Sequence, residues 1–314
     1  MIMQALAFVN LRLLYSATME WLWIRFPASG VETPIFIPPL VAFLISFFTS
    51  MGGVSGAFLL LPFQMSVLGY TGVSVSGTNL LFNTLAIPPG LLSYVRQGRM
   101  LWGLVLALLA GTIPGMFAGY VIRVRLMPGP EKFQPFVGLV LLYLGLRLLR
   151  DLLLARRAAA PRARIRAGPL GLLRQSFRYG NASYEVGHLS LFPVCFAVGV
   201  VGGAYGIGGG SLIAPFLVAV LGLPVYAVSA AVLANTFLSS LAGVLFYWLS
   251  PLGLKTSPDW LLGGLFALGG IGGIYTGGLC QKYFPERLIK AVLAAGVLFV
   301  AFRYLGLSRF VGIV

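Results

Sequence analysis

From about residue 35 onward the chain runs as a succession of apolar stretches, several of which reach or approach the ~20 residues that cross a bilayer as a helix. Nothing in their flanks supplies the polar helix faces that would enclose them as the core of a water-facing protein. Charged residues make up 9% of the 314-residue chain, against roughly 25% in an average soluble domain. The chain therefore reads as an all-α, polytopic membrane protein.

The formal charge of +15 would suggest nucleic acid in a soluble protein, but its placement points elsewhere. Nine of the 22 basic residues fall between Arg147 and Arg178. A basic segment between membrane helices marks the cytoplasmic side, and its second use is attraction to anionic lipid headgroups. It has neither the interleaved aromatics nor the folded module of a nucleic-acid binder. Cys195 and Cys280 stand alone in apolar sequence, and His188 has no second histidine beside it. No metal site and no cofactor are implied. Residues 1–34 carry Arg12, Glu20 and Arg25 among apolar residues and fit an interfacial or extra helix better than a cleaved signal.

Shifted by 153 positions, SMGGVSGAFLLLPF (50–63) lies over GAYGIGGGSLIAPF (203–216), and residues 53–83 match 206–236 at 11 of 31 ungapped positions. The register continues through Gly90 with Gly243 and Tyr94 with Tyr247. After an insertion, Gly111, Gly115 and Gly119 meet Gly269, Gly273 and Gly277. The pattern is that of an internal duplication. It divides the chain into an N-terminal segment (1–34), a first repeat (35–154), a basic cytoplasmic loop (155–188) and a second repeat (189–314).

Each copy reads as five helical pieces: about 35–51, 57–69, 74–96, 101–123 and 131–154, then 189–204, 211–222, 225–249, 259–281 and 286–306. About 8–10 of these are expected to be membrane helices or half-helices. The second piece of each copy is too short to cross, since 12 or 13 residues at ~1.5 Å each fall well short of a ~30 Å hydrocarbon core. The first two pieces form either a broken helix or a re-entrant hairpin. Inverted repeats are the expectation, because broken helices in duplicated transporters usually come that way; basic residues alone leave the second copy's orientation open.

The seven acidic residues, Glu20, Glu32, Glu131, Asp151, Glu185, Asp259 and Glu286, all fall at helix ends or in loops in this reading. That speaks against a cation carrier or proton relay built on a mid-membrane carboxylate. No GxxxxGK[ST] loop occurs, and residues 206–211 lack the last glycine of GxGxxG. What the interior offers is glycine, hydroxyls and amides. A helix interrupted in mid-membrane exposes backbone N–H groups at the start of the next half-helix, with the positive end of the peptide dipoles, and glycine lets a ligand come close. The candidate anion-binding residues are thus Gly52, Gly53, Ser55 and Gly56 in the first copy. Gly206, Gly208, Gly209, Gly210 and Ser211 are their counterparts in the second. Behind them stand Ser76, Thr78, Asn79 and Asn83, and Ser229, Asn235 and Thr236.

Each of these polar residues also has a plainer use in hydrogen bonds between helices or back to the preceding turn. The glycines at 111, 115, 119, 269, 273 and 277 recur as small-xxx-small and are assigned to close helix packing. The dense runs at 52–56 and 206–210 are poor helix formers, each glycine costing ~1 kcal/mol relative to alanine. Arg96 and Arg99 serve as topology-setting charge or as attractors at a cytoplasmic mouth. Pro62, Pro88, Pro89 and Pro215 mark kinks, and Tyr94, Tyr247, Trp102 and Trp260 are interfacial anchors.

On these residues the chain resembles the TauE/SafE sulfite exporter family. The likeness rests on the run from Gly206 to Pro215, its partner from Gly52 to Pro62, and Gly77-Thr78-Asn79-Leu80, and covers about residues 38–306. Ser55 and Ala57 interrupt the first glycine run, and Ala230-Ala231-Val232 stands where a Gly-Thr-Asn motif would be expected. The resemblance implies plasma-membrane export of sulfite or a small organosulfonate by secondary transport, with no enzymatic activity. The alternatives are a passive anion channel or an importer of a related oxyanion such as thiosulfate. Efflux of one negative charge from an inside-negative compartment is favoured by ~2.3 kcal/mol per 100 mV, so export needs no coupling carboxylate. A homodimer is one assembly the sequence allows.

Overall fold

The computed structural model describes residues 22–51, 55–153, 165–168, 171, 174–250, 252, 255–280 and 283–306. Among these, two short antiparallel strands, β1 (Trp23–Arg25) and β2 (Glu32–Pro34), precede four helices: α1 (Ile37–Met51), α2 (Ala57–Ser66), α3 (Ser74–Ala86) and α4 (Pro88–Arg96). The long helices α5 (Trp102–Arg125) and α6 (Pro130–Leu153) lead to a three-stranded antiparallel sheet. Its strands are β3 (Ile165–Ala167), β4 (Arg174–Tyr179) and β5 (Ala182–Gly187). Five further helices follow: α7 (His188–Tyr205), α8 (Gly210–Ala219), α9 (Val225–Trp248), α10 (Trp260–Cys280) and α11 (Glu286–Tyr304). Of the helices described, α5, α7, α9 and α10 are long and apolar enough to cross a membrane.

Three features differ from the sequence reading. The expected helix at 74–96 is two helices, because Pro88 and Pro89 lack the N–H groups a continuous helix needs and open α4 afresh. The basic segment, expected as loop, holds a sheet. Residues 22–34, expected as part of an N-terminal helix, form the β1–β2 pair; residues 1–21 lie outside those described.

Glycine sets the helix pairing. Along α5, Gly111, Gly115 and Gly119 meet the backbone of Phe192, Phe196 and Val200 on α7, so the two helices run parallel. Along α10, Gly269, Gly273 and Gly277 meet Pro39, Phe43 and Phe47 on α1 in the same sense. A side chain at any of these six glycines would strike the partner's backbone, which is the small-residue packing of helices that lipid gives no hydrophobic reason to associate. Two other pairs run antiparallel. Gly138 of α6 lies by Tyr304 and Leu305 and Gly145 by Val297 and Leu298 of α11, while Gly77 of α3 faces Tyr247 and Gly243 of α9 faces Leu80.

The short helices double back on their predecessors. Gly202 of α7 touches Gly208, and both Leu191 and Cys195 of α7 and Ile213, Leu217 and Leu223 of the α8 region pack on Leu101, Leu104 and Leu108, the first half of α5. The α2 residues Phe58, Leu61 and Met65 pack likewise with Leu262 and Phe266, the first half of α10. Both short helices end in the same turn. Val67 and Leu68 donate to Phe63 O and Tyr70 to Gln64 O; Val220 and Leu221 donate to Phe216 O and Leu223 to Leu217 O. Gly69 and Gly222 hold the left-handed φ, 69° and 65°, on which that turn depends.

Candidate functional site

The tips of the two hairpins meet at α3. The Asn79 amide nitrogen donates to Ala57 O at 2.9 Å and to Gly206 O at 3.0 Å, joining the start of α2 to the end of α7. One turn later Asn83 donates to Ile207 O at 3.0 Å and accepts from Ser55 Oγ at 3.2 Å. Gln64 Nε2 donates to Asn79 Oδ1, Ser76 Oγ to Ala204 O and Tyr205 OH to Phe58 O. The i, i+4 spacing of Asn79 and Asn83 puts both amides on one face of α3, and an unpaired backbone carbonyl here would be costly to bury. The helix break at 206–208 is held by Gly206 and Gly208, with φ of 94° and 70°. Gly206 further has no room for a side chain, which would strike the Ser76 backbone.

Beyond that break α8 begins on Gly209 and, in the other hairpin, α2 begins on Gly56. Glycine supplies no side-chain cap; in α2 Ser55 Oγ accepts from Ala57 N at 3.3 Å, whereas at α8 the first-turn N–H groups are left for another acceptor. Gly209 N donates to Ser239 Oγ at 3.1 Å. Thr112 of α5 and the Asn235 amide nitrogen crowd the place a Gly209 side chain would take; Thr236 stands against Gly210 and Ser240 against Gly208. Thr112 is near the middle of the 24-residue α5, so this start lies deep between the ends of a membrane-length helix. At Gly56 the neighbours are the hydroxyls of Ser46 and Thr49.

Hydrogen-bond donors here are mostly committed. The hydroxyls of Thr78, Thr112 and Thr236 donate back to Ser74 O, Leu108 O and Val232 O, and Ser239 donates to Thr236 O. Each can still accept but cannot donate to a ligand. Asn235, fully buried, has no partner at either Nδ2 or Oδ1, and Ser240 Oγ and Ser46 Oγ are likewise unpaired. Asp259 is buried too, but it sits before α10 and accepts from Leu262 N and from Ser29 N and Oγ. A carboxylate is stable there, at the positive end of a helix.

The sixteen residues expected to bind thus separate. Ser55, Gly56, Ser76, Asn79, Asn83, Gly206, Gly208, Gly209, Gly210, Asn235 and Thr236 come together around the two tips. Thr78 faces away, bonded to Tyr70 OH and to Asp259 N. Ser229 stands apart as well: it accepts from Arg99 Nη2, whose guanidinium lies over the Tyr94 and Tyr226 rings. Gly52 and Gly53 lie outside the described residues, as does the side chain of Ser211. Thr112, Ser239, Ser240 and Ser46 are additions. Helical spacing was the available signal, since Asn235 with Ser239 and Thr236 with Ser240 are i, i+4 pairs.

The family model for the sulfite exporter TauE/SafE matches residues 39–304. Two similar proteins of Xylella fastidiosa are each described as a probable membrane transporter protein. That of strain Temecula1 is 25% identical over 264 residues, and that of strain 9a5c 27% over 270; each alignment covers 83% of this chain and 92% of the relative. No solved structure gives a significant match.

Proposed function

The chain belongs to the sulfite exporter TauE/SafE family of membrane transporters, and from that premise we propose that it exports a small sulfur-containing anion across the plasma membrane by secondary transport, holding it at the meeting point of its two hairpin tips. The observation that carries this reading is the uncapped start of α8 at mid-helix depth, faced by the unpaired amide of Asn235. A helix start binds an oxyanion through backbone N–H groups without a buried cation, and a polar side chain left unpaired in such a place is costly unless something else pairs it.

In this reading the two halves are inverted copies. An axis running along the helices would make equivalent helices parallel, whereas the antiparallel pairs α3 with α9 and α6 with α11 support an axis running across them. The exchanged pairs, α5 with α7 and α10 with α1, are matched residue for residue at the shifts that align the sequences before and after the insertion. Asn79 and Asn83 position the tips and Asn235 contacts the anion. The basic segment 155–188 faces the cytoplasm, in accord with the positive-inside rule.

The test is labelled sulfite flux into inside-out vesicles. Gly209→Leu and Gly56→Leu should each abolish it while the protein retains its melting transition, because a side chain at either glycine fills the helix start. Unchanged rates in both variants would refute the site.

A further inference from the structure

Among the described residues Asn235 is the side chain whose amide lacks a partner at both ends, and it is fully buried. Its surroundings decide what could pair it. The groups around Gly208, Gly209 and Gly210 are Thr112, Asn235, Val232, Thr236, Ser239 and Ser240, none of them charged. Three of the four hydroxyls already donate elsewhere. The free groups are therefore one amide donor, one amide acceptor and the Ser240 hydroxyl.

A dianion offers only acceptors. It would satisfy Asn235 Nδ2 and set Oδ1 against negative charge, and no cation stands by to offset its second charge, whose burial is expensive. An oxyanion that keeps one proton is complementary on both counts: it carries a single charge, and it presents an O–H beside its acceptor oxygens. The carboxamide meets such a ligand with both its ends, as a paired donor and acceptor. Backbone N–H groups of the α8 start supply the remaining contacts.

We infer that the site takes its oxyanion as the singly protonated monoanion, with the proton held against Asn235 Oδ1 and the oxygens against Asn235 Nδ2, Ser240 Oγ and the helix start. This rests on the reading of that start as the anion site and narrows its substrate to one ionisation state. The same chemistry disfavours a monoanion of equal charge that has a methyl group in place of the hydroxyl, since the acceptor would then stay unpaired.

The experiment uses proteoliposomes with labelled sulfite at fixed total concentration over a pH series, and methanesulfonate as competitor. Above the second ionisation of sulfite the initial flux should fall about tenfold per pH unit, following the monoanion. Methanesulfonate should compete about tenfold or more weakly than unlabelled sulfite. Asn235→Ala leaves room for the anion and the helix-start N–H groups, so a reduced flux should remain, and in it the two competitors should come within about twofold of each other, because the acceptor that tells them apart is gone. Equal competition in the wild-type protein overturns the inference even if flux falls with pH, since proton coupling alone would give the slope without the discrimination. Flux that persists unchanged where sulfite is a dianion overturns it too. Those results leave the transporter reading standing, whereas absence of flux for every sulfur anion tested removes both.

Discussion

Asn79 and Asn235 are the same residue type in equally apolar sequence, yet they do opposite things. Asn79 uses both amide hydrogens to close two backbone carbonyls and its oxygen to accept from Gln64, whereas Asn235 is unpaired. Asn79→Leu should therefore orphan the carbonyl of Gly206, which lies past the end of α7, at about 1–3 kcal/mol, remove the second bond to Ala57 O, and lower the melting temperature in detergent. Asn235→Leu breaks no bond and replaces an unsatisfied polar group with an apolar one, which is near neutral or stabilising; it should hold or raise the melting temperature while removing transport, because leucine, unlike alanine, also fills the space before the helix start, a case of function costing stability. Equal destabilisation by the two would mean that Asn235 has a structural partner, and the site would lose its main support. Sequence alone shows that buried amides in a glycine-rich interior matter. It does not show which are satisfied, because Ala57 O, Gly206 O and Ile207 O reach α3 from distant parts of the chain.

Most helices were legible as elements because an apolar stretch bounded by glycine, proline or charge carries its own length. The partners of those helices were not, although their packing face was. In α10, Gly269, Gly273 and Gly277 recur every four residues and press on α1, while the adjacent Gly278 has open space around it. Gly273→Leu should drive a side chain into the Phe43 backbone and cost more than the ~1–3 kcal/mol of ordinary overpacking. Gly278→Leu should gain up to about 1 kcal/mol from helix propensity. Thermal melts of the two purified variants check this, and a similar loss in both would displace α1 from that face. The strands of the basic segment escaped the sequence reading for a different reason. Phe177, Tyr179 and Val186 alternate with polar residues over one hairpin, but that short pattern is submerged in arginine, and its packing against Met100 and Leu101 is a long-range contact.

For the whole molecule, the orientations of the packed helices combine into one path. On the proposal that the basic segment faces the cytoplasm, β4 and β5, which pack on the start of α5, put Arg99 on the inner side and Arg123 on the outer side, and the rest of the path follows from that premise. The α7–α8 hairpin then enters from and returns to the inside, α9 crosses outward, and α10, which starts beside the Ser29–Asp259 contact, crosses back. The α1–α2 hairpin, packed on α10, enters from the outside. The second copy thereby takes on this proposal an orientation, which the charges alone leave open. On the same proposal Arg287 and Lys290 lie inside with Arg96, Arg99, Arg147, Arg150, Arg174 and Arg178, in accord with the positive-inside rule. Two hairpins that enter from opposite faces and touch at their tips are the arrangement in which one central site can be opened to either side in turn. The matched positions Val67 and Val220, both exposed at the ends of α2 and α8, make the path testable. In a background lacking Cys195 and Cys280, Val67→Cys should react with a membrane-impermeant maleimide from the outside of intact cells, and Val220→Cys only in inside-out vesicles. Labelling of both from one side would make the repeats parallel, and the two helix starts could then no longer face each other across a common anion.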